Sequence, residues 1–360
     1  MSSSNNKNTG RKACLLVAAR NSGGADQADF VCDGIDDQAE IQAAIAALPA
    51  GGGAVRLFEG LYNVSMPIVL KSRTVLAAVD RNRPPVLFLQ AAHHSALETN
   101  AAAGAFELVV KTADGFKPET EIVVISRNEF RFAAKIKNIR NNTLALYEAI
   151  PAGLNIDRAE IWSLVDVIHV NNVSDVSVDS VAIDGHADHQ VVFKQDDSYL
   201  YDTSGKAFHA TDGNKAILIG EGSENIKNNS ISNCNGGIVI AFPNEKVSTG
   251  GSVISENIIT DNKLHGIMCC GARFCSIRGN IIKRNNKYGL IITDRAYDDV
   301  EPSEERWPDH PIRGSGPACD ILVAENIFED NASLCAPPED IHVQGASNIE
   351  VLKNLFRSSR

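Results

Sequence analysis

One short motif recurs along the second half of this sequence and limits how the chain can fold. It consists of an isoleucine or valine, two residues, an asparagine, one residue and an isoleucine or phenylalanine. The motif asparagines are Asn229, Asn257, Asn280, Asn326 and Asn354. They are separated by 28, 23, 46 and 28 residues, and 46 is twice 23 because an insertion lies inside that interval. A fixed period of this length indicates a solenoid of stacked units.

The segments around these asparagines are short and rich in β-branched residues, and their apolar and polar side chains alternate as they do in strands. Leucine-rich repeats have a similar period, but their leucine-rich consensus is missing here. The pattern therefore predicts an all-β fold, a parallel β-helix whose turns each contribute three short strands and stack at about 4.8 Å. An asparagine at the same bend of every turn can hydrogen-bond to the next one, so we expect a ladder with a structural role.

Composition and charge limit the partners. The net charge is -11 and no basic cluster is visible, which disfavours binding to a nucleic-acid backbone. Residues 1–12 are polar and predict a disordered tail, with neither a signal peptide nor a membrane span. We therefore expect no nucleic-acid or membrane partner, and a location in the cytoplasm, in a virion, or outside the cell after release from a longer precursor. The eight cysteines lack a disulfide or zinc-site spacing, which favours reduced core residues.

The segment 33–76 predicts an amino-terminal cap for the solenoid. Asp36 or Asp37 can cap a helix, and Pro49 with the glycines that follow it ends that helix. Its apolar face consists of Ile41, Ala44, Ile45 and Leu48. A solenoid needs such a cap because its end would otherwise expose the core.

The strings DGIDDQAEIQAAI and GGGAVRLFEGLYNV within this segment closely resemble the cap and first turns of the pectate-lyase-like superfamily of right-handed parallel β-helices. That superfamily includes polysaccharide lyases, glycoside hydrolases, uronan epimerases and phage tailspike depolymerases. The resemblance implies a right-handed β-helix with a polysaccharide or oligosaccharide partner. It does not imply one reaction, because members share the cap while their sites differ.

The periodicity divides the chain into consecutive parts. Residues 13–104 predict the cap and first rungs, and 166–360 the main β-helix. Between them, 105–165 predicts a small inserted antiparallel module with hairpin turns at 113–115 and 141–142.

Two long aperiodic loops, 186–213 and 295–317, interrupt the main β-helix. They flank one column of strands, so we predict a groove over that column, walled by the two loops. Aligned rungs place Lys215, Gly236, His265 and Tyr288 in one row at its leading edge. The middle outward positions Leu218, Val239, Met268 and Ile291 are apolar, so either the loops or a second subunit, as in a homotrimer, should cover them.

The candidate site residues come from this column and its loops. Asp184 and His265 also have plain structural interpretations, as a turn cap and as a ring stacked on Tyr288. The catalytic candidates are Asp184, Asp188, Asp212, His265 and Asp294. The substrate-binding candidates are His186, His189, Tyr199, Tyr201, His209, Lys215, Glu221, Tyr288, Arg295, Tyr297 and Trp307. We expect no metal ligand set among them, because no helical metal-binding motif accompanies the loop histidines.

These residues are compatible with more than one reaction. Hydrolysis of a glycosidic linkage needs a protonated acid and an ionised base or nucleophile, with no cofactor. β-Elimination from a uronate needs a base and neutralisation of the carboxylate, for which Ca²⁺ would be an additional cofactor. We predict a polysaccharide hydrolase or lyase. A uronan epimerase and a non-catalytic glycan-binding β-helix of a phage tail or surface assembly are the alternatives.

Overall fold

The computed structural model describes most of the chain. The described residues are 13–90, 93–126, 129–150, 158–170, 173–185, 215–219, 223–241, 251–293, 318–333, 335 and 339–358.

The described chain coils into rungs of three strands, and equivalent strands of successive rungs pair in parallel. Sheet A comprises β1 (Cys14–Ala18), β2 (Phe30–Val31), β3 (Gly53–Leu57), β6 (Thr74–Ala78), β15 (Val176–Asp179), β18 (Glu224–Lys227), β21 (Val253–Ser255), β24 (Ser276–Arg278), β27 (Cys319–Ala324) and β30 (Ser347–Leu352). Sheet B comprises β4 (Gly60–Val64), β7 (Pro85–Leu89), β16 (Ala182–Asp184), β19 (Ser230–Ser232), β22 (Ile258–Thr260), β25 (Ile281–Lys283), β28 (Ile327–Glu329) and β31 (Leu355–Arg357). Sheet C comprises β5 (Ile68–Val69), β14 (Ile168–Val170), β17 (Lys215–Ile219), β20 (Gly236–Ala241), β23 (Ile267–Cys270), β26 (Leu290–Thr293) and β29 (Ile341–Gln344). The predicted parallel β-helix is confirmed.

The interior is a continuous column of aliphatic side chains. Each strand contributes residues at alternate positions, so Ile226, Ile254 and Ile277 of sheet A stack directly on one another and are fully buried. Because every rung repeats this inward pattern, the core extends along the axis of the β-helix instead of forming a sphere.

The predicted cap is present as helix α1 (Gln38–Ala47), preceded by a short 3-10 helix (Ala25–Gln27). The four predicted apolar residues of α1 and its end are fully buried against the first strands. Asp37 is the N-cap residue, as one of the two predicted alternatives, but its carboxylate makes no cap hydrogen bond. It accepts instead from the backbone N–H groups of Gly34 and Asn63, at 2.8 and 2.7 Å, and so fastens the loop before α1 to β4.

The insertion forms a separate antiparallel sheet, which begins at His94 and so before the predicted boundary at 105. Its strands are β8 (His94–Ala96), β9 (Glu107–Val109), β10 (Glu121–Ser126), β11 (Glu129–Arg140), β12 (Thr143–Leu146) and β13 (Ala159–Leu164). The hairpin predicted at 141–142 joins β11 to β12, with Asn141 in the left-handed region at φ 53°. The hairpin predicted at 113–115 is wrong, because β9 pairs with β12 while β10 pairs with β11 and β13. The sheet packs on a core of its own.

The predicted asparagine ladder lies at the corner between sheets A and B. Asn229, Asn257, Asn280 and Asn326 are at most 1% exposed. The Oδ1 atoms of Asn257, Asn280 and Asn326 each accept from the backbone N–H and side-chain amide of the preceding rung's asparagine at 2.9 to 3.0 Å. The first of the series, Asn229, accepts from the Val181 backbone N–H at 3.0 Å. Asn354 continues the series. Each Nδ2 also donates to a strand carbonyl, so the ladder satisfies buried backbone groups at a corner where strand pairing stops.

A second ladder, which the sequence analysis missed, lies at the corner between sheets B and C. Asn262 donates through Nδ2 to Asn285, and Asn285 to Asn331, both at 2.8 Å. The ladder begins at the Cys234 backbone N–H, which donates to Asn262. It ends at the Asp340 carboxylate, which accepts from Asn331. The segments after these asparagines differ in length from rung to rung, which hides the repeat in the sequence.

A glycine precedes an isoleucine or leucine of the sheet C strand in several rungs, as in Gly237-Ile238, Gly266-Ile267 and Gly289-Leu290. These glycines are needed for close packing of rungs. A Cβ added to Gly266 would lie 2.7 Å from the Gly289 carbonyl oxygen and 2.7 Å from Ile282 Cγ2. We expect Gly266→Ala to lower the free energy of unfolding by about 2 kcal/mol, since the neighbouring rung must shift to relieve this overlap. Urea unfolding of this variant tests the value, with Gly51→Ala as control because a Cβ there meets nothing within 4 Å. Equal midpoints for the two variants would contradict it.

Candidate functional site

The outer face of sheet C carries the row predicted from the repeat. Lys215 of β17 pairs with Gly236 of β20, and the pairing of Ile267 with Leu290 sets His265 beside Tyr288 on the next rung. The rings of His265 and Tyr288 stack, with centroids 5.6 Å apart and planes at 14°. The register predicted for this edge is therefore observed.

The middle of this face is closed. The outward side chains of Val239, Met268 and Ile291 are 3%, 2% and 5% exposed. These values refer to a single chain, so the burial of the apolar row does not require a second subunit. The central floor of sheet C is therefore not exposed at these three positions.

His265 is also buried, at 2% exposure. Burial, together with the positive Lys287 and with His342, lowers the pKa of His265 to about 3. Its imidazole is therefore neutral at physiological pH, and it contacts the Tyr288 ring instead of bulk solvent. In this arrangement His265 supports Tyr288, and the half-buried Tyr288 is the ring that a ligand can touch.

Tyr288 is stacked on its other side by a histidine that the sequence analysis did not select. The His342 ring lies 4.5 Å from the Tyr288 ring, with planes at 9°. His342 Nδ1 is 3.2 Å from a Glu339 carboxylate oxygen, and the Tyr288 side chain hydrogen-bonds with the Cys335 thiol. The three rings are thus stacked nearly parallel, with Tyr288 between the two histidines and a carboxylate beside His342.

Asp184 ends strand β16 and is half-buried. Its Oδ1 accepts a hydrogen bond of 3.0 Å from the side-chain amide of Asn233, a bend residue with φ 58° on the next rung. This contact agrees with the plain interpretation of Asp184 as a turn residue.

A second histidine with an acidic partner lies on the same face and was also missed. His169 Nε2 is 3.0 Å from Asp166 Oδ2, and the Asp166 side chain is 7% exposed while His169 is 27% exposed. This pair and the Glu339–His342 pair share one sequence pattern. The pattern is an acidic residue, then any residue, then Ile-His-Val. That shared pattern is the signal that could have revealed them.

Most of the predicted site lies outside the described residues. These positions are His186, Asp188, His189, Tyr199, Tyr201, His209, Asp212, Glu221, Asp294, Arg295, Tyr297 and Trp307. Lys215 is placed by its backbone in β17. Their roles stay predictions.

Within the described ranges, one group of side chains could hold a metal ion. It lies in the cap and consists of the Cys32 thiol with the Asp37 and Glu40 carboxylates, whose ligand atoms lie within 4.8 Å of one another. Burial, followed by the nearby carboxylates, raises the pKa of the Cys32 thiol far above its usual range. Both Asp37 oxygens already accept backbone hydrogen bonds, so the group is explained as part of the cap.

No helix among the described residues is long and apolar enough to span a membrane.

Comparisons with known proteins concern the architecture. Residues 166–301 match the family model described as "Right handed beta helix region". No curated protein matches the sequence.

Several solved structures are similar. A polygalacturonase from Erwinia carotovora is 14% identical, with 96% of this chain and 72% of that one covered and a TM-score of 0.42. The tailspike of Pseudomonas phage phi297 is 11% identical, with 89% and 57% covered and a TM-score of 0.29. A tailspike from Acinetobacter baumannii bacteriophage Fri1, titled a capsular polysaccharide depolymerase, is 11% identical, with 97% and 48% covered and a TM-score of 0.40. The chain thus spans about half the length of these two tailspikes.

The strand order and the family model agree on the architecture, since all three long sheets are parallel and seven successive rungs of the described chain contribute one strand to each of them. The chain therefore folds as a right-handed parallel β-helix.

Proposed function

We propose that the protein binds a polysaccharide along the edge of sheet C nearest sheet B and hydrolyses its glycosidic linkages. The observation that carries this proposal is the line of three stacked rings, His265, Tyr288 and His342, at the same edge as the Asp184 carboxylate. The resemblance of the capping motif to polysaccharide-acting β-helices supports the substrate class.

The ring line suits an extended sugar chain for a geometric reason. Rungs repeat at about 4.8 Å, so groups on successive rungs present a regular series of contacts parallel to the axis. Tyr288 and His342 combine an apolar ring with a hydrogen-bonding tip, which matches the apolar faces and hydroxyl groups of a sugar. Asp184 lies two rungs before His265, within the span of a bound oligosaccharide.

A polysaccharide panel tests the proposal. Reducing ends and absorbance near 235 nm are followed together, because hydrolysis releases only reducing ends while elimination also forms unsaturated uronates that absorb there. New reducing ends without absorbance support hydrolysis. Both signals together would replace hydrolysis by β-elimination, and neither signal on any substrate would remove the enzymatic proposal.

The burial of the central floor favours a second candidate, a non-catalytic glycan-binding protein. Val239, Met268 and Ile291 are buried and so present no exposed apolar floor to a substrate on the middle rungs, whereas binding at the edge needs none. Glycan-array binding by a protein that releases no product would establish this alternative.

We expect Tyr288→Ala to raise KM for a cleaved polysaccharide about tenfold, since one stacking contact contributes on the order of 1 kcal/mol. The turnover number kcat should change little, because Tyr288 binds the chain in this scheme. Initial-rate kinetics measure both constants. The matched control is Tyr147→Ala on the inserted sheet, where the exposed ring lies outside the site. A KM unchanged by Tyr288→Ala would remove the ring line from the site.

A further inference from the structure

The outer face of sheet B carries an apolar stripe on four consecutive rungs. Side chains alternate between the two faces of a strand, and the fully buried Ile259, Ile282 and Phe328 point inward, so their neighbours point outward. The outward residues are paired in register and are Ile258, Ile281, Ile327 and Leu355, called here the sheet B stripe. Ile258 and Leu355 are 42% and 45% exposed, which makes the stripe a candidate contact surface.

A row of charges lies beside the sheet B stripe, at the corner with sheet C. It consists of the last residue of each strand and, on the first three rungs, the bend residue after it. In rung order these residues are Thr260 and Asp261, Lys283 and Arg284, Glu329 and Asp330, and Arg357. Counting each Lys or Arg as +1 and each Asp or Glu as -1, the four rungs carry -1, +2, -2 and +1. Within one chain Arg284 binds Asp261 through two 2.7 Å hydrogen bonds, which keeps both charges at this corner.

This order of charges is self-complementary when the rungs are reversed. Two identical faces in contact are related by a two-fold axis that lies in the plane between them. If that axis runs along the strands and passes between β25 and β28, then β25 faces β28 of the second copy and β22 faces β31. Each rung of charge +2 then meets one of -2, and each rung of -1 meets one of +1. At the opposite corner, with sheet A, the exposed Glu256 likewise faces Lys353 of the second copy.

The other two-fold arrangement brings like charges together. An axis parallel to the β-helix keeps the rung order, so the sheet A corner of each rung faces the sheet C corner of the same rung in the second copy. The facing pairs are then Glu256 with Asp261, Glu325 with Glu329, and Lys353 with Arg357. Like charges placed opposite each other oppose association. The charge pattern therefore selects the reversed arrangement.

We propose that the sheet B stripe is a homodimer interface in which two copies of this chain pack with their rungs in opposite directions. The two stripes cover each other, and Lys283 of each copy faces Glu329 of the other. Four rungs extend roughly 15 Å along the axis, so the contact is small and we expect a dissociation constant on the order of 10 to 100 μM. The interface contains no residue of the ring line, so this inference does not depend on the proposed function.

Sedimentation velocity from about 1 to 200 μM protein tests the interface, and we expect the wild type to pass from monomer to dimer over this range. Lys283→Glu should raise the dissociation constant about 30-fold, because both symmetric contacts with Glu329 then join like charges. Combining Lys283→Glu with Glu329→Lys should restore the wild-type constant within about threefold, since each exchanged charge again meets its opposite. Arg278→Glu, exposed on sheet A of the same rung, is the matched control and should leave dimerisation unchanged.

Each result decides for or against the proposal. A wild type that stays monomeric at about 200 μM, or that forms a trimer, overturns it. So does a dimer that Lys283→Glu does not weaken, or one that the double variant fails to restore. Should Lys283→Glu fail to fold by circular dichroism, the salt response of the wild type replaces it. Raising sodium chloride from about 50 to 500 mM should then weaken the dimer at least about fivefold, because salt screens exposed charges, and an unchanged constant overturns the interface.

Discussion

Replacing Asn257 with alanine is expected to lower the free energy of unfolding by about 4 kcal/mol. The Asn257 side chain accepts two hydrogen bonds from Asn229 and donates to Ile226 O and Asn280 Oδ1, all at 2.9 to 3.0 Å in a fully buried corner. Alanine leaves the Asn229 donors and the Ile226 carbonyl without these partners, and each buried polar group left unpaired costs about 1–3 kcal/mol. The lost hydrogen bonds all lie at the corner between sheets A and B, so no strand contact compensates for them.

Equilibrium unfolding in urea measures this effect, read as a lower midpoint at an unchanged slope. The control is Asn82→Ala, because Asn82 lies in an exposed loop. A difference of less than about 1 kcal/mol between the two variants would show that water replaces the ladder bonds and that the asparagines do not hold the rungs together.

Replacing Glu224 with glutamine is expected to remove a pH dependence of stability worth about 3 kcal/mol. Glu224 is 3% exposed and points into the interior, in register with Val176 of β15. Its Oε2 accepts a 2.7 Å hydrogen bond from the Ser252 hydroxyl, while its buried Oε1 has no hydrogen-bond partner. Burial raises the pKa of Glu224 from its ordinary value of 4.5 to about 7, although the Ser252 bond acts in the opposite direction.

The sign of the effect follows from proton binding. Between pH 4.5 and 7 the native protein keeps a proton on Glu224 that the unfolded chain has released, so stability falls as pH rises through this window. A shift of about 2.5 units at about 1.4 kcal/mol each gives the expected total. Above pH 7 the loss is complete, since both states are then ionised. The buried Cys275 thiol faces the same space, and its pKa is raised to about 12 mainly by burial, so it stays neutral throughout.

Thermal or urea unfolding of the wild type and Glu224→Gln at pH 4.5, 6 and 8 tests this prediction. The stability of the variant relative to the wild type should increase by about 3 kcal/mol from the lowest to the highest pH. Glu350→Gln, on the exposed strand β30 of the same sheet, should show no such trend. A constant difference between Glu224→Gln and the wild type would mean that the Glu224 carboxyl is ionised in the native protein across this range.

The two asparagine ladders show how far the sequence could be interpreted. The ladder containing Asn257 was predicted because short strands of nearly constant length lie on both sides of it. The ladder containing Asn262 escaped prediction because the next segment varies, with β23 following it after four residues and β29 following Asn331 after nine. Both ladders link successive rungs through buried asparagine hydrogen bonds. A periodic position is visible in sequence only where its neighbours are equally spaced.

The candidate site was predictable in part. The stacking of His265 on Tyr288 follows from rung alignment, since residues one period apart become neighbours in a β-helix. The burial of His265 does not follow, because it depends on what covers the outer face. The Asp166–His169 pair escaped notice because its pattern occurs only twice and lies outside the asparagine motif.

The sequence by itself determined the rung. Its period, its inward aliphatic positions and its corner asparagines are local properties that repeat, and repetition makes them visible without coordinates. Only the tertiary structure decided which polar groups are buried away from water. Glu224 is turned inward by its register with Val176, and Asp166 is buried while the similar Glu339 is not. Burial depends on contacts between residues far apart in the chain, and it is burial that gives these carboxylates their chemistry.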